Sequence, residues 1–298
     1  MMNMALQTTL RGHLVHNEPM GKHCSWRTGG AAEIYFEPAD KQDLILFLTQ
    51  TANDVPVTWI GLGSNLLVRD GGLKGIVIST LNKLNDLRLL DNGNVYAESG
   101  VTCAKLARFC QKHNLDGADF LAGIPGTVGG ALAMNAGAFG FETWQFVKSV
   151  EIVNRLGHLE SRESSEFKVS YRSVELAHSE WFSASVFCFP VKTDDEESNI
   201  KPLLAKRNAS QPIGLPSCGS VFKNPQGDHA ARLIEAAGLK GFCIGGACIS
   251  TKHANFIINE NNASATDIEA LITEIQHQVK QKFNIELNTE VRIMGDKL

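Results

Sequence analysis

Metal sites and disulfide frameworks are built from clusters of ligating side chains, and this sequence has few such clusters. Its nine histidines form no HxH or HxxxH pair, and its seven cysteines are irregularly spaced without a CxxC pair. Zinc and similar ions are usually held by closely spaced pairs of this kind, so the sequence predicts no metal site. An odd number of scattered cysteines also predicts reduced thiols, as in a cytoplasmic protein.

Long apolar runs and basic stripes are also missing. No stretch approaches the length of a membrane span, and residues 1–21 contain no long apolar core, so neither a transmembrane helix nor a signal peptide is expected. The 28 Lys and Arg residues are scattered and outnumbered by 32 Asp and Glu residues, giving a formal charge of -4. Because no basic stripe is present, we expect no nucleic acid and no membrane partner.

What remains is an ordinary globular composition. Of the 298 residues, 43% are hydrophobic and 20% are charged, and this length allows two or three domains with a sizeable core. Residues 193–202 are charged and poor in apolar side chains. They predict a solvated linker at a domain boundary.

Caps and periodicity place several elements in the first half of the chain. Asp40 predicts an N-cap, before apolar residues at helical spacing: Leu44, Phe47 and Leu48. Thr102 predicts a second cap, before a stripe formed by Leu106, Phe109 and Cys110. Short apolar or alternating runs predict strands at 57–62, 75–78 and 94–99.

The C-terminal region predicts two helices and a strand. Asp228 precedes a helix that Gly238 is placed to end, with one apolar side formed by Leu233, Ile234 and Ala237. Thr266 and Glu269 fit a capping box for a longer helix, whose apolar stripe is Ile268, Leu271, Ile272, Ile275 and Val279. Residues 285–293 alternate between apolar and polar, which predicts a strand with Glu290 on its polar face.

Two glycine-rich segments, Gly61–Val68 and Gly123–Gly130, carry the chemistry that the residues indicate by themselves. The first follows a predicted strand and adds the polar side chains of Ser64 and Asn65. The second has four glycines, a rigid proline and one hydroxyl within eight residues. Backbone without side chains lets a phosphate reach successive N–H groups, so both segments predict a cradle for a diphosphate.

Neither segment matches a familiar nucleotide-binding motif. The first has GxG but lacks the third glycine of GxGxxG, and the second lacks the Lys-Ser/Thr pair of a P-loop. A Rossmann fold and a P-loop NTPase are therefore disfavoured. For either segment alone, a simple tight turn remains an open alternative.

Together with three further segments, these loops resemble the UDP-N-acetylenolpyruvoylglucosamine reductase family, flavoenzymes of peptidoglycan precursor synthesis. The second loop matches as far as Gly137, and the further segments are Trp26–Gly30, Ser217–Pro225, and Leu233–Gly241 continuing through Gly245 to Ile257. They follow the family's order and cover nearly the whole chain, from about residue 24 to residue 292. The resemblance therefore concerns the entire protein rather than one motif.

The resemblance implies an α+β fold. Residues 1–85 and 86–195 would form the two subdomains of an FAD-binding unit of the p-cresol methylhydroxylase and vanillyl-alcohol oxidase (PCMH) type. Residues 203–298 would form a smaller α+β substrate-binding domain with a C-terminal catalytic strand. The short path from Tyr171 to the linker resembles the family's shorter subtype, so substrate contacts of the longer subtype are not carried over.

The implied reaction is the reduction of a UDP-linked enolpyruvyl amino sugar to UDP-N-acetylmuramate. Non-covalent FAD would take a hydride from NADPH and deliver it to C3 of the enol ether, and a protein acid would protonate C2. The family motifs assign stabilisation of the enediolate to Arg172 and Glu290, and protonation to Ser220. Taken alone, these residues also fit an ion-paired surface arginine, a solvated glutamate and a turn serine. Cys218 is a rival proton donor.

The same motifs imply binding residues. The cofactor set is Arg27, Thr28, Gly29, Gly61, Gly63, Ser64, Asn65, Leu66, Gly123, Ile124, Gly126, Thr127, Gly130, Asn135 and Gly137. The substrate set is Tyr171, Lys223, Asn224 and Asn255. His253, beside the last of these, is predicted to be structural. The implied enzyme is a cytoplasmic monomer acting on small molecules.

Two other functions remain open. The first is a flavin oxidase of the same fold acting on an alcohol or phenol, although Ser217–Pro225 argues against it. The second is a nucleotide-sensing protein that kept the fold and lost the chemistry, although the presence of Arg172, Ser220 and Glu290 argues against that. Oxidases of this fold often hold FAD covalently, so retention of the yellow colour after acid denaturation would favour the first. The response of the flavin to NADPH and then to the enolpyruvyl sugar tests the second.

Overall fold

The structure is a computed structural model that describes residues 10–193 and 200–298. The chain divides into two compact units. Unit 1 contains residues 1–16, 34–62 and 75–205, and unit 2 contains residues 17–33, 63–74 and 206–298. Residues 1–9, within the segment where no signal peptide is predicted, and residues 194–199 of the predicted linker lie outside the described ranges. The division into three domains stays a prediction.

Six α-helices and eighteen strands are found in the described ranges. The helices are α1 Lys41–Gln50, α2 Cys103–Lys112, α3 Val128–Met134, α4 Ile200–Ser210, α5 Ala230–Ala236 and α6 Ala265–Phe283. Over this part of the chain, no helix combines the length and apolar character needed to cross a membrane. Because α4 begins at Ile200, the predicted linker is wrong at its C-terminal end: residues 200–202 are helical, and Ile200 is buried in the core of unit 1.

The strands are short and are grouped into several small sheets. Their bounds are β1 His13–Pro19, β2 Ala31–Glu37, β3 Val57–Ile60, β4 Leu66–Val68, β5 Leu73–Ser79, β6 Leu87–Leu89, β7 Val95–Glu98, β8 Gly137–Ala138, β9 Phe141–Glu142, β10 Val147–Asn154, β11 Leu159–Glu163, β12 Val169–Ser170, β13 Ser173–Val174, β14 Glu180–Phe187, β15 Cys243–Ile244, β16 Ala247–Ile249, β17 Ile257–Asn259 and β18 Arg292–Met294.

The first sheet of unit 1 has the order β1-β2-β5-β3, and β3 and β5 are parallel. Helix α1 begins as predicted, because Asp40 accepts a hydrogen bond from the backbone N–H of Asp43. Its predicted apolar face is buried, and Phe47 stacks on Phe36 of β2 with ring centroids 4.0 Å apart. The sheet and the helix therefore share one core, from which β3 leads to Gly61.

The second sheet of unit 1 is antiparallel, with the order β11-β10-β14-β7-β6. Helix α2 begins as predicted, with Thr102 accepting from the N–H of Lys105. Leu106 and Cys110 are fully buried, while Phe109 is half-buried. These residues share a hydrophobic core with α3, the helix that continues the second glycine-rich segment.

Unit 2 packs α5 and α6 against a three-stranded sheet with the order β15-β16-β17. The predicted stripe of α6 is buried along its whole length. The predicted capping box is wrong by two residues, because the cap is Ser264, which accepts from the N–H of Asp267 while Asp267 accepts from the N–H of Ser264. Thr266 instead donates its hydroxyl to Asp70, whose carboxylate also accepts the N–H groups of Ala265 and Thr266.

The predicted strand at 285–293 is wrong over most of its length. Only Arg292–Met294 forms a strand, parallel to β4, although Leu287 and Val291 are buried as the alternation predicts. The N–H groups of Glu290 and Val291 both point to the carbonyl of Val221, at 2.8 and 3.4 Å. Two residues opposite one carbonyl form a bulge, which interrupts the regular ladder at Glu290.

The prediction that every cysteine is reduced is wrong for two of them, because Cys243 and Cys248 form a disulfide. They lie directly opposite each other on β15 and β16, with Cα atoms 4.1 Å apart, and Gly245 and Gly246 form the turn between the strands. The Ile249 N–H donates to the Phe242 carbonyl, so the cysteines occupy a non-hydrogen-bonded pair, where side chains come closest. The two-residue turn, rather than a CxxC motif, brings the sulfurs together.

Thiol titration tests this assignment. Of the five free cysteines, only Cys188 is exposed, and burial raises the pKa of the thiols of Cys24, Cys103, Cys110 and Cys218 to about 12. A thiol reagent should therefore label one site in the native protein, five after denaturation without a reductant, and seven after denaturation with a reductant. A count of seven before reduction would contradict the disulfide.

Candidate active site

In unit 1, the second glycine-rich segment meets the start of the first. Thr127 is the N-cap of α3, and its Oγ1 accepts from the N–H of Gly130 at 3.4 Å. A Cβ built on Gly61 would lie only 2.3 Å from the same Oγ1. Glycine at position 61 therefore lets the end of β3 rest against the start of α3, and the two predicted diphosphate loops meet at Thr127.

The start of α3 is held against the end of β7 by backbone hydrogen bonds. The N–H of Val128 donates to the carbonyl of Val101, and the N–H of Gly129 donates to the carbonyl of Ser99. A Cβ on Gly129 would lie 2.8 Å from Cβ of Ser99. No larger residue fits at Gly129 without moving the helix, so the glycine sets the position of the loop.

This geometry fits the diphosphate of FAD. A Cβ on Gly130 would meet no atom closer than Thr127 Oγ1, 3.7 Å away, so the backbone is open to a ligand there. The start of a helix carries a partial positive charge that attracts phosphate oxygens, and the hydroxyl of Thr127 can donate to them. The predicted cofactor residues Gly61, Thr127 and Gly130 lie together at this helix start.

The other end of α3 carries Asn135, which adopts a left-handed conformation with φ 46° and is 2% exposed. Its Nδ2 donates to Oε2 of Glu142 at 2.8 Å and to the carbonyl of Ser170 at 3.3 Å. Its Oδ1 accepts from the N–H of Trp144 at 3.2 Å. The side chain predicted to contact the cofactor therefore connects α3 to the segments around it.

Arg172 lies at the second position of the two-residue turn between β12 and β13, with φ 55°. Its Nη2 donates to the carbonyl of Gly137 at 2.9 Å and its Nη1 to the carbonyl of Asn135 at 3.3 Å. Oε1 of Glu142 lies 3.7 Å from Nη1, and the guanidinium stacks 4.9 Å from the ring of Tyr171. With a side chain only 16% exposed, Arg172 is not an ordinary surface arginine.

In unit 2, the predicted flavin segment at residues 26–30 is fixed at several points. The buried indole of Trp26 donates to the carbonyl of Ile257 at 2.8 Å, and Asn259 donates to the carbonyl of Trp26 at 2.9 Å. A Cβ on Gly29 would lie 2.8 Å from the carbonyl oxygen of Val68. The conformation of Arg27, Thr28 and Gly29 is therefore determined by β4 and β17.

The rest of the first glycine-rich segment also lies in unit 2. Gly63 passes so close to His23 that a Cβ would lie 1.8 Å from the His23 carbonyl oxygen. The N–H of Ser25 donates to the carbonyl of Gly63 at 3.0 Å. Ser64 follows on a half-buried turn, and Leu66 begins β4. The loop therefore runs directly beside the segment that leads to Arg27.

Asn65 connects this loop to the predicted catalytic glutamate. Its Nδ2 donates to the carbonyl of Glu290 at 3.1 Å, and its own carbonyl accepts from the N–H of Arg292 at 3.0 Å. The N–H of Glu290 in turn donates to the carbonyl of Val221. Because Val221 follows Ser220, the structure brings the backbone of the two predicted catalytic residues of unit 2 together.

Asn255 holds the segment that carries Ser220. Its Oδ1 accepts from the N–H of Phe222 at 2.9 Å, its Nδ2 donates to the Phe222 carbonyl at 2.8 Å, and its carbonyl accepts from the N–H of Val221. The Asn255 side chain is buried, and it pairs with both backbone groups of Phe222 as a neighbouring β-strand would. Asn224 similarly accepts from the N–H of Ala230 at the start of α5. Asn255 therefore shapes the backbone next to Ser220, and Asn224 holds the start of α5.

Two neighbouring side chains have other roles. The thiol of Cys218 is buried, lies 3.5 Å from the carbonyl of Leu66, and has its pKa raised to about 12 by burial. Because the thiol is buried, this position disfavours Cys218 as the proton donor. Burial lowers the pKa of His253, whose ring packs edge-on against Phe256 and accepts from the N–H of Asn255. Both contacts fit the predicted structural role of His253.

Glu142 is the functional candidate that sequence reasoning missed. It lies seven residues after Asn135 and is paired with Gly137 across the β8–β9 hairpin. The only available signal was its place just beyond the segment ending at Gly137. Within residues 10–193 and 200–298, no three His, Cys, Asp or Glu side chains gather closely enough to hold a metal ion.

Comparison with known proteins identifies both parts of the chain. Residues 32–161 match the model of an FAD binding domain. Residues 211–294 match the model of the UDP-N-acetylenolpyruvoylglucosamine reductase C-terminal domain. The mixed helices and strands and these two matches confirm the predicted α+β fold class and the FAD-binding part.

Whole-length relatives give the same result. The chain is 53% identical to a UDP-N-acetylenolpyruvoylglucosamine reductase of Coxiella burnetii, covering 97% of this chain and 98% of that protein. It is 53% identical to the reductase of Nitrosomonas eutropha, covering 96% and 90%. The crystal structure of the reductase (MurB) of Thermus caldophilus matches with a TM-score of 0.80 at 28% identity, over 95% of this chain and 99% of that one. The chain belongs to the UDP-N-acetylenolpyruvoylglucosamine reductase family.

Proposed function

We propose that this protein reduces the enolpyruvyl group of UDP-N-acetylglucosamine enolpyruvate to the lactyl group of UDP-N-acetylmuramate, with FAD as cofactor and NADPH as reductant. The observation that carries this proposal is the 53% identity, over almost the full length of both chains, to enzymes of that name. The reaction belongs to the synthesis of peptidoglycan precursors. Bound FAD supplies a centre that accepts a hydride from NADPH and passes it to C3 of the enol ether.

The chain's own residues would hold the cofactor through its diphosphate. At the start of α3, Gly130 presents open backbone and Thr127 a hydroxyl, and Gly61 packs against Thr127. Such a surface would attract phosphate oxygens through the partial positive charge of the helix start and the hydroxyl, and it needs no lysine. Further contacts are proposed for Gly63, Ser64, Asn65, Leu66, Gly123, Ile124, Gly126, Gly137 and the segment Arg27–Gly29. The absence of a covalent flavin attachment remains part of the proposal.

Arg172 is proposed to stabilise the negative charge that develops on the substrate carboxylate when C3 receives the hydride. A guanidinium offers a planar fork of N–H donors that matches a carboxylate. Its Nη atoms are already oriented by the carbonyls of Asn135 and Gly137. A donor fixed before the reaction need not reorganise as charge develops, and this is the condition under which electrostatic stabilisation is strongest.

Ser220 is proposed to protonate C2, and Glu290 to share in stabilising the intermediate. A serine hydroxyl is a weak acid, but the enediolate is a strong base, so a correctly placed hydroxyl suffices. The hydrogen bonds of Asn255 to Val221 and Phe222 hold the segment that carries Ser220. The backbone of Glu290 is held by Asn65 and Val221.

The remaining substrate contacts are proposed for Tyr171, Lys223, Asn224 and Asn255. Tyr171 is exposed beside Arg172, where its ring is available to a ligand. Asn255 also shapes the backbone next to Ser220, and Asn224 also holds the start of α5. We place the enzyme in the cytoplasm as a monomer that acts on small molecules without a nucleic acid or membrane partner.

Anaerobic spectroscopy of the FAD-loaded protein tests the reaction. Addition of NADPH should bleach the yellow flavin absorbance, and addition of the UDP-linked enolpyruvyl sugar should restore it without oxygen. Acid precipitation should leave the flavin in the supernatant, because no covalent bond holds it. Failure of the sugar to restore the colour would refute the proposed substrate, and a yellow precipitate would refute non-covalent binding.

Replacement of Ser220 by alanine should separate the two half-reactions. Without the C2 proton donor, we expect reoxidation of the flavin by the sugar to slow by at least about 100-fold, while its reduction by NADPH is unchanged. Rapid-mixing measurements of each half-reaction provide the test.

The matched control is Ser210→Ala, because the Ser210 hydroxyl bonds only within α4 and is exposed. It should leave both half-reactions unchanged. Equal slowing of both half-reactions in Ser220→Ala would instead indicate a structural role for Ser220.

A further inference from the structure

We propose that Glu142 is a positioning residue that fixes the guanidinium of Arg172 for the substrate carboxylate. This inference rests on the proposed function, and it extends that function to a residue that makes no contact with the reacting atoms. The two carboxylate oxygens of Glu142 have different neighbours. Oε1 lies 3.7 Å from Nη1 of Arg172, and Oε2 accepts from Nδ2 of Asn135 at 2.8 Å.

The support beneath Glu142 is rigid. Glu142 is paired with Gly137 across the β8–β9 hairpin, and its N–H donates to the side chain of Gln145. Asn135, which holds Oε2, is buried and also bonds to the backbone of Ser170 and Trp144. The carboxylate is therefore held at the hairpin by both its backbone and its side chain, and it has little freedom to follow a moving partner.

Three acceptors from this one region face the guanidinium. Nη1 meets the carbonyl of Asn135 and the carboxylate of Glu142, and Nη2 meets the carbonyl of Gly137. Glu142 supplies the only full negative charge among the three. An arginine side chain has several rotatable bonds, and orienting it in advance removes the entropy cost of ordering it in the transition state. The carbonyls set the direction of the guanidinium, and the charge holds it there.

Removing the charge of Glu142 should affect the orientation of the Arg172 guanidinium and the binding of the substrate carboxylate differently. It partly offsets the positive charge that the substrate carboxylate meets, so its removal does not weaken the attraction of the site for an anion. Its removal does release the guanidinium from a fixed orientation. The loss should therefore appear in the rate of the chemical step rather than in the affinity for the sugar.

The test is Glu142→Gln, which keeps the size of the side chain and an oxygen that can accept from Asn135. The saturating rate of flavin reoxidation by the UDP-linked enolpyruvyl sugar should fall by about 10- to 100-fold, as expected for a misplaced catalytic group. The sugar concentration at half-saturation should not rise, and reduction by NADPH should be unchanged.

Glu175→Gln is the matched control. Glu175 follows β13 and forms an exposed ion pair with Lys168 across the hairpin that carries Arg172. It should behave as the wild type. If Glu142→Gln also reoxidises at the wild-type rate, or if it slows both half-reactions equally, the inference is wrong.

A double-mutant cycle with Arg172→Lys shows whether Glu142 acts through Arg172. Lysine keeps the charge but lacks the planar fork, so there is no guanidinium left to orient. Glu142→Gln should then add no further slowing in the Arg172→Lys background. Equal slowing in both backgrounds would assign Glu142 an independent role and would overturn the inference.

A second variant covers the case in which Glu142→Gln does not fold. Glu142→Asp keeps the charge on a shorter side chain, so it should recover part of the reoxidation rate relative to Glu142→Ala. Equal rates for these two variants would contradict a role for the charge. The proposed function is tested separately, because it fails if the sugar does not reoxidise the wild-type flavin or if Arg172→Lys reoxidises it normally.

Discussion

The candidate site depends on close backbone contacts at glycine positions where no side chain would fit. Gly61 packs against Thr127, and Gly129 packs against Ser99. A Cβ on Gly61 would lie 2.3 Å from Oγ1 of Thr127, and a Cβ on Gly129 would lie 2.8 Å from Cβ of Ser99. These two contacts place the start of α3 against both β3 and β7. A larger residue at either position would push the helix away from its neighbours, and the loop and everything attached to the helix would move with it.

The position of helix α3 also sets the position of Arg172, the arginine proposed to be catalytic. Its first residues form the surface proposed for the diphosphate, and its last turn ends at Asn135, whose carbonyl and side chain orient Arg172 and Glu142. A helix of seven residues is about 10 Å long. One short, rigid element therefore fixes the cofactor loop and the arginine relative to each other.

Features that depend on local chemistry were predictable from the sequence. The caps at Asp40 and Thr102 and the buried stripe of α6 follow from hydrogen bonding and periodicity within a few residues. The error about the C-terminal strand arose because a distant segment decides the outcome. Alternation at 285–293 predicted the correct burial, but it could not reveal that Val221 accepts two N–H groups and interrupts the strand.

In the candidate site, too, some residues could be identified from the sequence and others only from their contacts. The glycines indicated the loops through their residue types, whereas Arg172, Ser220 and Glu290 were indicated by the family resemblance. Glu142 was not indicated, because a glutamate at a hairpin looks like any solvated carboxylate until its partners are known. Asn135 and Asn255 were assigned to ligands for the complementary reason. An amide in a motif is equally suited to bind a ligand or the backbone, and the structure shows the backbone contacts.

The backbone at the three proposed catalytic residues is irregular. Arg172 has φ 55° in a tight turn, Glu290 occupies a bulge, and Ser220 lies outside any helix or strand. Regular elements satisfy their backbone groups internally, whereas irregular ones need partners from neighbouring segments. Asn135, Asn255 and Asn65 supply those partners with side-chain amides. An amide can donate and accept at once, so it can replace a missing strand beside an irregular segment. This explains why asparagines lie beside each proposed catalytic group, and why replacing one of them should disturb catalysis without removing a catalytic group.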